Sequence, residues 1–288
     1  MKNRLLYLFF KVFIGITKIL PYRACAGLGK GIGSLLYRLL KSRNRMVRTN
    51  IAKAFPGKFS TEEIEQIIKD MYHNLGMTFV EFMLLERLSK EEIASCITVE
   101  GEEYLVEMAK KDKGVILYSA HFGNWEWQAI CFAVQGCPVT AIAKDQKNPY
   151  FNRRINEIRS SKGVEIIPSQ RSLKNVYKRL EEGNFLYILG DQNAGKRGWQ
   201  MKFFWRKAST YSGPVRLAAR TESYILPVFM VREGWMKHRI LVYPPYQIDR
   251  DATKEEQEEL LQELTSLTEK VISTYPEQWF WLHRRWKR

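Results

Sequence analysis

Six short apolar runs recur between residues 114 and 243, at 114–119, 139–143, 164–167, 185–189, 225–231 and 239–243. Each is too short for a buried helix and has the length of a strand covered on both faces. Stretches with helical character, notably 151–162 and 172–182, separate the earlier runs. Short apolar strands alternating with helices predict an α/β fold, with a mostly parallel central sheet flanked by helices.

The first hundred residues read differently. Pro21 ends a first apolar run, and helices are expected over 23–40 and 43–55, the latter stopped by Pro56-Gly57. Glycines at 27, 29, 31 and 33 either allow close packing of the second helix or weaken it. Ser60 with Glu63 forms a capping box ahead of Ile64, Ile67, Ile68, Met71, Tyr72 and Leu75 at helical spacing. Thr253 with Glu256 caps a last helix that carries Leu260, Leu264, Leu267 and Val271 on one face and ends at Pro276. The expected organisation is an interfacial helix (1–21), a helical N-terminal region (22–98) and an α/β core (99–288), the last two forming one continuous domain.

Charge narrows the partners. The formal net charge is +15, and residues 1–61 contain no Asp or Glu. Such a chain is drawn to nucleic acid, anionic lipid or a phosphorylated substrate. The run 5–20 is short for a membrane span and is interrupted by Lys11 and Lys18. Those lysines, with Arg23, also spoil it as a signal peptide. An interfacial helix suits it better, with aliphatic and aromatic groups in the lipid and lysines at the phosphates; the blander alternative is an amphipathic helix on the protein's own core. Four cysteines without CxxC spacing read as reduced thiols, and no metal is expected.

The chemistry concentrates at His121-Phe122-Gly123-Asn124-Trp125-Glu126, where the first strand ends. In open α/β sheets ligands bind beyond the carboxyl ends of the strands. Histidine suits general-base work near neutral pH, Gly123 permits a tight turn, and a carboxylate such as Glu126 can fix the tautomer of the imidazole.

This segment resembles the H-x4-[DE] motif of the bacterial lipid A biosynthesis (lauroyl/myristoyl) acyltransferase family, which includes phosphatidylinositol mannoside acyltransferases. Four further segments carry the resemblance in order: 50–56, Asn148-Pro149 through Arg159 and Gly163, Gly190-Asp191-Gln192, and Pro276-Glu277-Gln278-Trp279 through Arg285. The resemblance implies a glycerolipid-acyltransferase-like fold and transfer of a fatty acyl chain from an acyl thioester to a hydroxyl of a membrane glycolipid, most naturally a lipid A precursor. The thioester would be carried by acyl carrier protein or coenzyme A, as a substrate and not a cofactor. It implies catalytic roles for His121, Glu126, Arg159 and Asp191, with Glu126 orienting the histidine and Asp191 serving Arg159 or the acceptor. Which carboxylate contacts His121 and which positions Arg159 is open at this point. Gly123, Asn124, Trp125, Gln192 and Arg154 are expected to meet substrate, and the Asn124 amide, Arg159 and backbone N–H groups at the turn are candidate oxyanion donors. Lys144, Lys147, Arg153 and Arg154 are candidates for substrate phosphates. The implied location is the cytoplasmic face of the cell inner membrane.

Phe203-Phe204-Trp205 departs from the family's usual Phe-Phe-Gly, so Trp205 is expected to alter the local acyl or acceptor pocket. Competing readings are a phosphatidylinositol mannoside or other glycolipid acceptor, a non-catalytic peripheral membrane protein, and a nucleic-acid-binding protein. The last rests on charge and on Trp279, Trp281 and Trp286 among Arg284 and Arg285. It leaves the His121 turn unexplained and has no recognisable motif, so no nucleic-acid partner is expected.

Overall fold

The computed structural model describes residues 2–143, 145–168 and 173–287. Four helices come first: α1 (Lys2–Ile19), α2 (Tyr22–Leu39), α3 (Lys41–Ala54) and α4 (Thr61–Leu84). The next elements are α5 (Lys90–Ser95), β1 (Ile97–Glu100), α6 (Glu102–Ala109), β2 (Val115–Ser119), α7 (Trp125–Val134), β3 (Val139–Ala143), α8 (Pro149–Ser161), β4 (Glu165–Pro168), α9 (Leu173–Glu181) and β5 (Phe185–Leu189). The chain closes with β6 (Trp199–Phe203), β7 (Arg206–Thr210), α10 (Gly213–Thr221), β8 (Tyr224–Gly234), β9 (Lys237–Val242) and α11 (Lys254–Thr274).

All six apolar runs are strands of one seven-stranded sheet, in the order β1-β9-β8-β2-β5-β3-β4. Five neighbouring pairs are parallel; β8 and β9 form the antiparallel pair. This is the expected mostly parallel sheet, with β2 at its centre. Both faces of β2 are covered because its side chains alternate between two cores. Val115 and Leu117 pack with Trp127, Ile130 and Phe82 on one side. Ile116 and Tyr118 pack with Val176, Val215 and Leu261 on the other. A third core joins α3, α4 and the C-terminal segment through Ile51, Ile68, Phe122, Phe229 and Trp279.

The capping boxes at Ser60–Glu63 and Thr253–Glu256 both form, and a third precedes α5 at Ser89–Glu92. A serine or threonine in this position is worth ~1 kcal/mol. The glycines of α2 divide by face. A Cβ on Gly29 or Gly33 would run into the α4 backbone at Met77 or Tyr72, whereas Gly27 and Gly31 face open space. Close helix packing is therefore the role of two of the four.

Several elements lie beyond the sequence expectation. β1, α5, α6 and α10 carry short or mixed patterns that periodicity does not separate from loop. Between Asp191-Gln192 and α10 the chain forms an antiparallel hairpin, β6–β7, with Phe204-Trp205 at its tip. Trp205 there is 77% exposed and points away from any core, so it shapes no interior pocket.

One face of helix α1 packs on the protein's own core. Phe10 and Ile14 are buried, Phe10 lying 4.5 Å from the Phe151 ring. Arg87 donates to the Thr17 and Leu20 carbonyls at the helix end, and Lys18 pairs with Glu86 at 2.8 Å. Leu8, Val12, Ile16 and Ile19 nevertheless form an exposed stripe. Among the described residues no helix is long and apolar enough to cross a membrane.

Candidate active site

The parallel register of β2 and β5 creates the central contact. Ser119 pairs with Leu189, and the ladder runs one step further as the Gly190 N–H donates to the Ser119 carbonyl at 2.9 Å. His121 and Asp191 each stand two residues beyond those strand ends, so they emerge side by side. His121 Nδ1 donates to Asp191 Oδ1 at 2.8 Å. The other oxygen of Asp191 accepts from Trp279 Nε1, also at 2.8 Å. Asp191 and Trp279 are buried, while His121 keeps a partly open face. With Nδ1 committed, Nε2 is the free basic nitrogen, and the Gln192 amide donates to it at 3.3 Å. Trp125 and Phe280 flank the imidazole, their ring centroids 5.6 and 6.2 Å away.

Burial alone would lower the His121 pKa, but the charge and hydrogen bond of Asp191, aided by the Glu126 charge, hold it above its ordinary value. Burial likewise works to raise the pKa of Asp191. The His121 charge and the hydrogen bonds from His121 and Trp279 outweigh it, so the carboxyl sits below its usual range. Both shifts favour a carboxylate that stabilises an imidazolium.

Glu126 is therefore not the partner of His121. It opens α7 and pairs with Arg159 of α8, whose Nη2 lies 2.8 Å from both carboxylate oxygens and whose Nε lies 3.1 Å from one of them. Helical geometry explains the exchange. Glu126 faces α8 from the first turn of α7, whereas the register of the sheet delivers Asp191.

The turn itself is built from behind. Gly123 has φ +55°, and a Cβ there would run into the Met230 carbonyl of β8. Its N–H donates to the Gln278 carbonyl at 2.9 Å and its own carbonyl accepts from Thr78 Oγ1 at 3.3 Å. Asn124 caps α7 by accepting from the Trp127 N–H at 3.1 Å, and its Nδ2 donates to Glu81 at 2.7 Å. Asn124 is fully buried with both ends of its carboxamide occupied. The expectations of an oxyanion donor and a substrate contact at Asn124, and of a substrate contact at Gly123, give way to turn-building roles.

Glu81 anchors this rear network. It also accepts from Arg232 Nη1 at 2.5 Å and from the Met236 N–H at 2.9 Å, with His238 Nε2 at 3.4 Å. Glu81, Arg232 and His238 are all buried. Burial opposes the charged form of Glu81, but the charges of Arg232 and His238 prevail and its pKa is lowered. Gln278 clamps β8 to the turn, accepting from the Arg232 N–H at 2.7 Å and donating to the Arg232 carbonyl at 3.0 Å.

The C-terminal segment is a strap over the site. The Phe280 N–H donates to the His121 carbonyl at 3.0 Å. His283 Nε2 accepts from the Asn193 N–H at 2.8 Å, a structural role. Trp279 and Trp281 are buried, which removes them as a platform for stacking bases. Arg154 is held by Glu86 at 2.5 Å and Glu157 at 3.1 Å, and Arg153 by Glu157 at 2.8 Å. Both side chains are engaged in ion pairs, which weakens the expected phosphate contact; Lys144 lies outside the described residues.

Glu81, Arg232, Gln278 and Trp279 are the members of the site that pattern reading missed. A signal existed for Glu81, a lone charge in the apolar end of α4, whereas Arg232 is followed at once by Glu233 and reads as the charged end of β8. The roles of Gln278 and Trp279 required the path of the strap.

A parallel sheet with a histidine–carboxylate pair at its carboxyl edge fits an acyl-transfer enzyme. The description "Bacterial lipid A biosynthesis acyltransferase" matches residues 3–288, and the chain belongs to that family. It is 26% identical to the lipid A biosynthesis lauroyltransferase of Escherichia coli (strain K12) over 93% of this chain and 87% of that protein. It is 23% identical to the phosphatidylinositol mannoside acyltransferase of Mycolicibacterium smegmatis over 83% of this chain and 78% of that one. Among solved structures, the 1-acyl-sn-glycerophosphate acyltransferase PlsC of Thermotoga maritima aligns with a TM-score of 0.42 at 16% identity, covering 86% of this chain and 99% of that one. Membership of the family over residues 3–288 makes the protein an acyltransferase.

Proposed function

We propose that the protein moves a fatty acyl chain from an acyl thioester, carried by acyl carrier protein or coenzyme A, to a hydroxyl of a membrane glycolipid, with a lipid A precursor as the acceptor. The observation that carries this reading is the chain His121–Asp191–Trp279, which leaves Nε2 of a carboxylate-backed imidazole facing the open side. The acceptor hydroxyl displaces the Gln192 amide from Nε2. As its oxygen attacks the thioester carbonyl, its proton passes to Nε2 and the imidazolium is stabilised by Asp191. The C–S bond then breaks, and the leaving thiolate takes the proton back from the imidazolium. The N–H groups of Trp125 and Glu126 at the head of α7 and the Arg159 cation face the negative charge that develops on the carbonyl oxygen. Glu126 holds Arg159 in place for this role.

The exposed stripe of α1 lies on the interface of the inner membrane, on its cytoplasmic side, and brings the site to the lipid acceptor. Support comes from Leu8, Val12, Ile16 and Ile19 beside an acid-free basic stretch. Because Phe10 and Ile14 belong to the core, the test of this contact is a V12S/I16S variant in vesicle flotation and not deletion of the helix.

Purified protein with an acyl thioester and a lipid A precursor tests the reaction. Acylated product in the wild type, lost in His121→Ala with folding intact, is the expected result; full activity in that variant would falsify the mechanism. Mass spectrometry of lipids from cells lacking the protein identifies the acceptor, and loss of an acylated phosphatidylinositol mannoside in place of a lipid A species would reassign it.

A further inference from the structure

Two acid-free segments of the chain meet at the tip of the β6–β7 hairpin. Residues 1–61 contain no Asp or Glu, and neither do residues 192–221. They are joined where Phe55 packs against Phe204, ring centroids 5.0 Å apart, and where Arg206 Nε donates to the Lys53 carbonyl at 3.5 Å. The exposed cations Lys53, Lys58, Lys202, Arg206 and Lys207 therefore surround one apex.

Trp205 stands at that apex, 77% exposed, with φ +66°; its neighbour Phe204 has φ +47° and is buried against Phe55, Trp281 and Trp286. Both bulky residues occupy the left-handed region that hairpin turns normally give to Gly or Asn. Lys202 and Lys207 are directly paired across the strands, an arrangement that repels. The Lys202 ammonium lies 5.0 Å from the centre of the Trp205 ring. Glu269 of α11, half-buried, is the acid that faces this region: it meets the Phe204 N–H and the Lys202 charge. The backbone conformation and the opposed lysines both cost the isolated fold, and the Lys202–Trp205 contact offsets part of that.

The base of the hairpin is tied to the active site. Arg285 of the strap donates to the Ser209 carbonyl at 2.5 Å and to Thr210 Oγ1 at 2.7 Å, and the Ala194 N–H donates to the Ser209 carbonyl at 3.2 Å. Asp191 is three residues before Ala194. Gln262 of α11 grips the Lys202 backbone, accepting from its N–H at 2.8 Å and donating to its carbonyl at 2.9 Å. The base of the hairpin is thus tied to the strap and to the segment that carries Asp191.

We infer that the β6–β7 hairpin is a membrane-docking element, separate from α1, in which Trp205 enters the headgroup region of an anionic bilayer while Lys202, Lys207, Arg206 and Lys53 face the lipid phosphates. An indole is suited to that zone because one end is apolar and the other wet. Lipid contact turns the lysine repulsion into attraction. Together with α1, the hairpin fixes the height and tilt of the His121 site over the lipid surface.

Binding of the full chain to phosphatidylglycerol/phosphatidylethanolamine vesicles, read by flotation, tests this without reference to acyl transfer. Replacing Trp205 by Gly, which suits the turn, is expected to weaken binding about ten-fold. K202E/K207E is expected to weaken it by roughly thirty-fold or more, with a shallower salt dependence. In the V12S/I16S background W205G removes most of the residual binding. In W205G the melting temperature stays at or above the wild-type value and acyl transfer to a detergent-dispersed acceptor stays at the wild-type value, and W205N, which also tolerates the turn, behaves alike. Wild-type vesicle affinity in both W205G and W205N overturns the inference. So does retained vesicle binding with loss of binding to an acidic carrier protein in vesicle-free solution, which would make the hairpin a protein-docking element.

Discussion

A carboxylate-bearing pair lies on each side of the turn 121–126, and the two differ in what surrounds them. In front, Asp191 meets His121, whose ring keeps one nitrogen facing outward. Behind, Glu81 meets Arg232 and His238 with every partner buried. The front pair has a group that can exchange a proton with substrate; the rear pair has none within reach of solvent. Similar residue types therefore serve chemistry on one side of the turn and architecture on the other, and access to the open face decides which.

Substitutions should separate the two pairs. The largest effect is expected from His121→Ala, with kcat lower by on the order of 10³–10⁴ and a stability loss of about 1.5–3 kcal/mol from the hydrogen bond taken away from buried Asp191. A stability loss equal to that of a core deletion would erase the distinction. Asp191→Asn should lower kcat by roughly 10²–10⁴. It should also move the acid limb of kcat/KM to lower pH, because the charge that raises the His121 pKa is gone. An unmoved limb would show that another group titrates.

Glu81→Ala acts on the rear pair. It leaves Arg232 buried without its carboxylate and should cost about 3–5 kcal/mol of stability in denaturant melts. Activity per folded molecule should also fall, because Asn124 loses its anchor at the head of α7. The double change E81Q/N124D restores a donor–acceptor pair across the same gap and should recover part of the activity. Failure to recover any would reduce Glu81 to a packing residue. Trp279→Phe is the mildest test. It removes one hydrogen bond to a buried carboxylate, worth about 1.5–3 kcal/mol, and should reduce kcat more than it changes KM.

The pH dependence of stability follows from the front pair. The His121 pKa is raised in the folded state, so its contribution is complete below the unfolded value of about 6.5 and is lost as pH rises through the folded value. The Asp191 pKa is lowered, so its contribution is present above the unfolded value of about 3.9 and is lost as pH falls through the folded value. Denaturant melts of wild type and Asp191→Asn across that span should converge at acid pH, once Asp191 is protonated in the wild type.

Much of the fold was legible because its signals are local. The six apolar runs needed only their length and spacing to be read as strands of a mostly parallel sheet. The boxes at Ser60–Glu63 and Thr253–Glu256 needed only side chains three residues apart. The hairpin at 199–210 was illegible for a related reason: its solvent face carries Lys202 and Lys207, and Phe204-Trp205 is not a turn pair that composition suggests.

The sequence by itself determined that His121 follows a strand end with a glycine turn and a helix behind it. That order, with the other motifs, placed the chain among acyltransferases. Only the tertiary structure decided that Asp191, seventy residues away, is the carboxylate on His121, while Glu126, five residues away, holds Arg159. Proximity in sequence puts Glu126 on a helix that turns it toward α8. Adjacency in a parallel sheet is set by strand order and register, which no local pattern records, and it sets Asp191 beside His121.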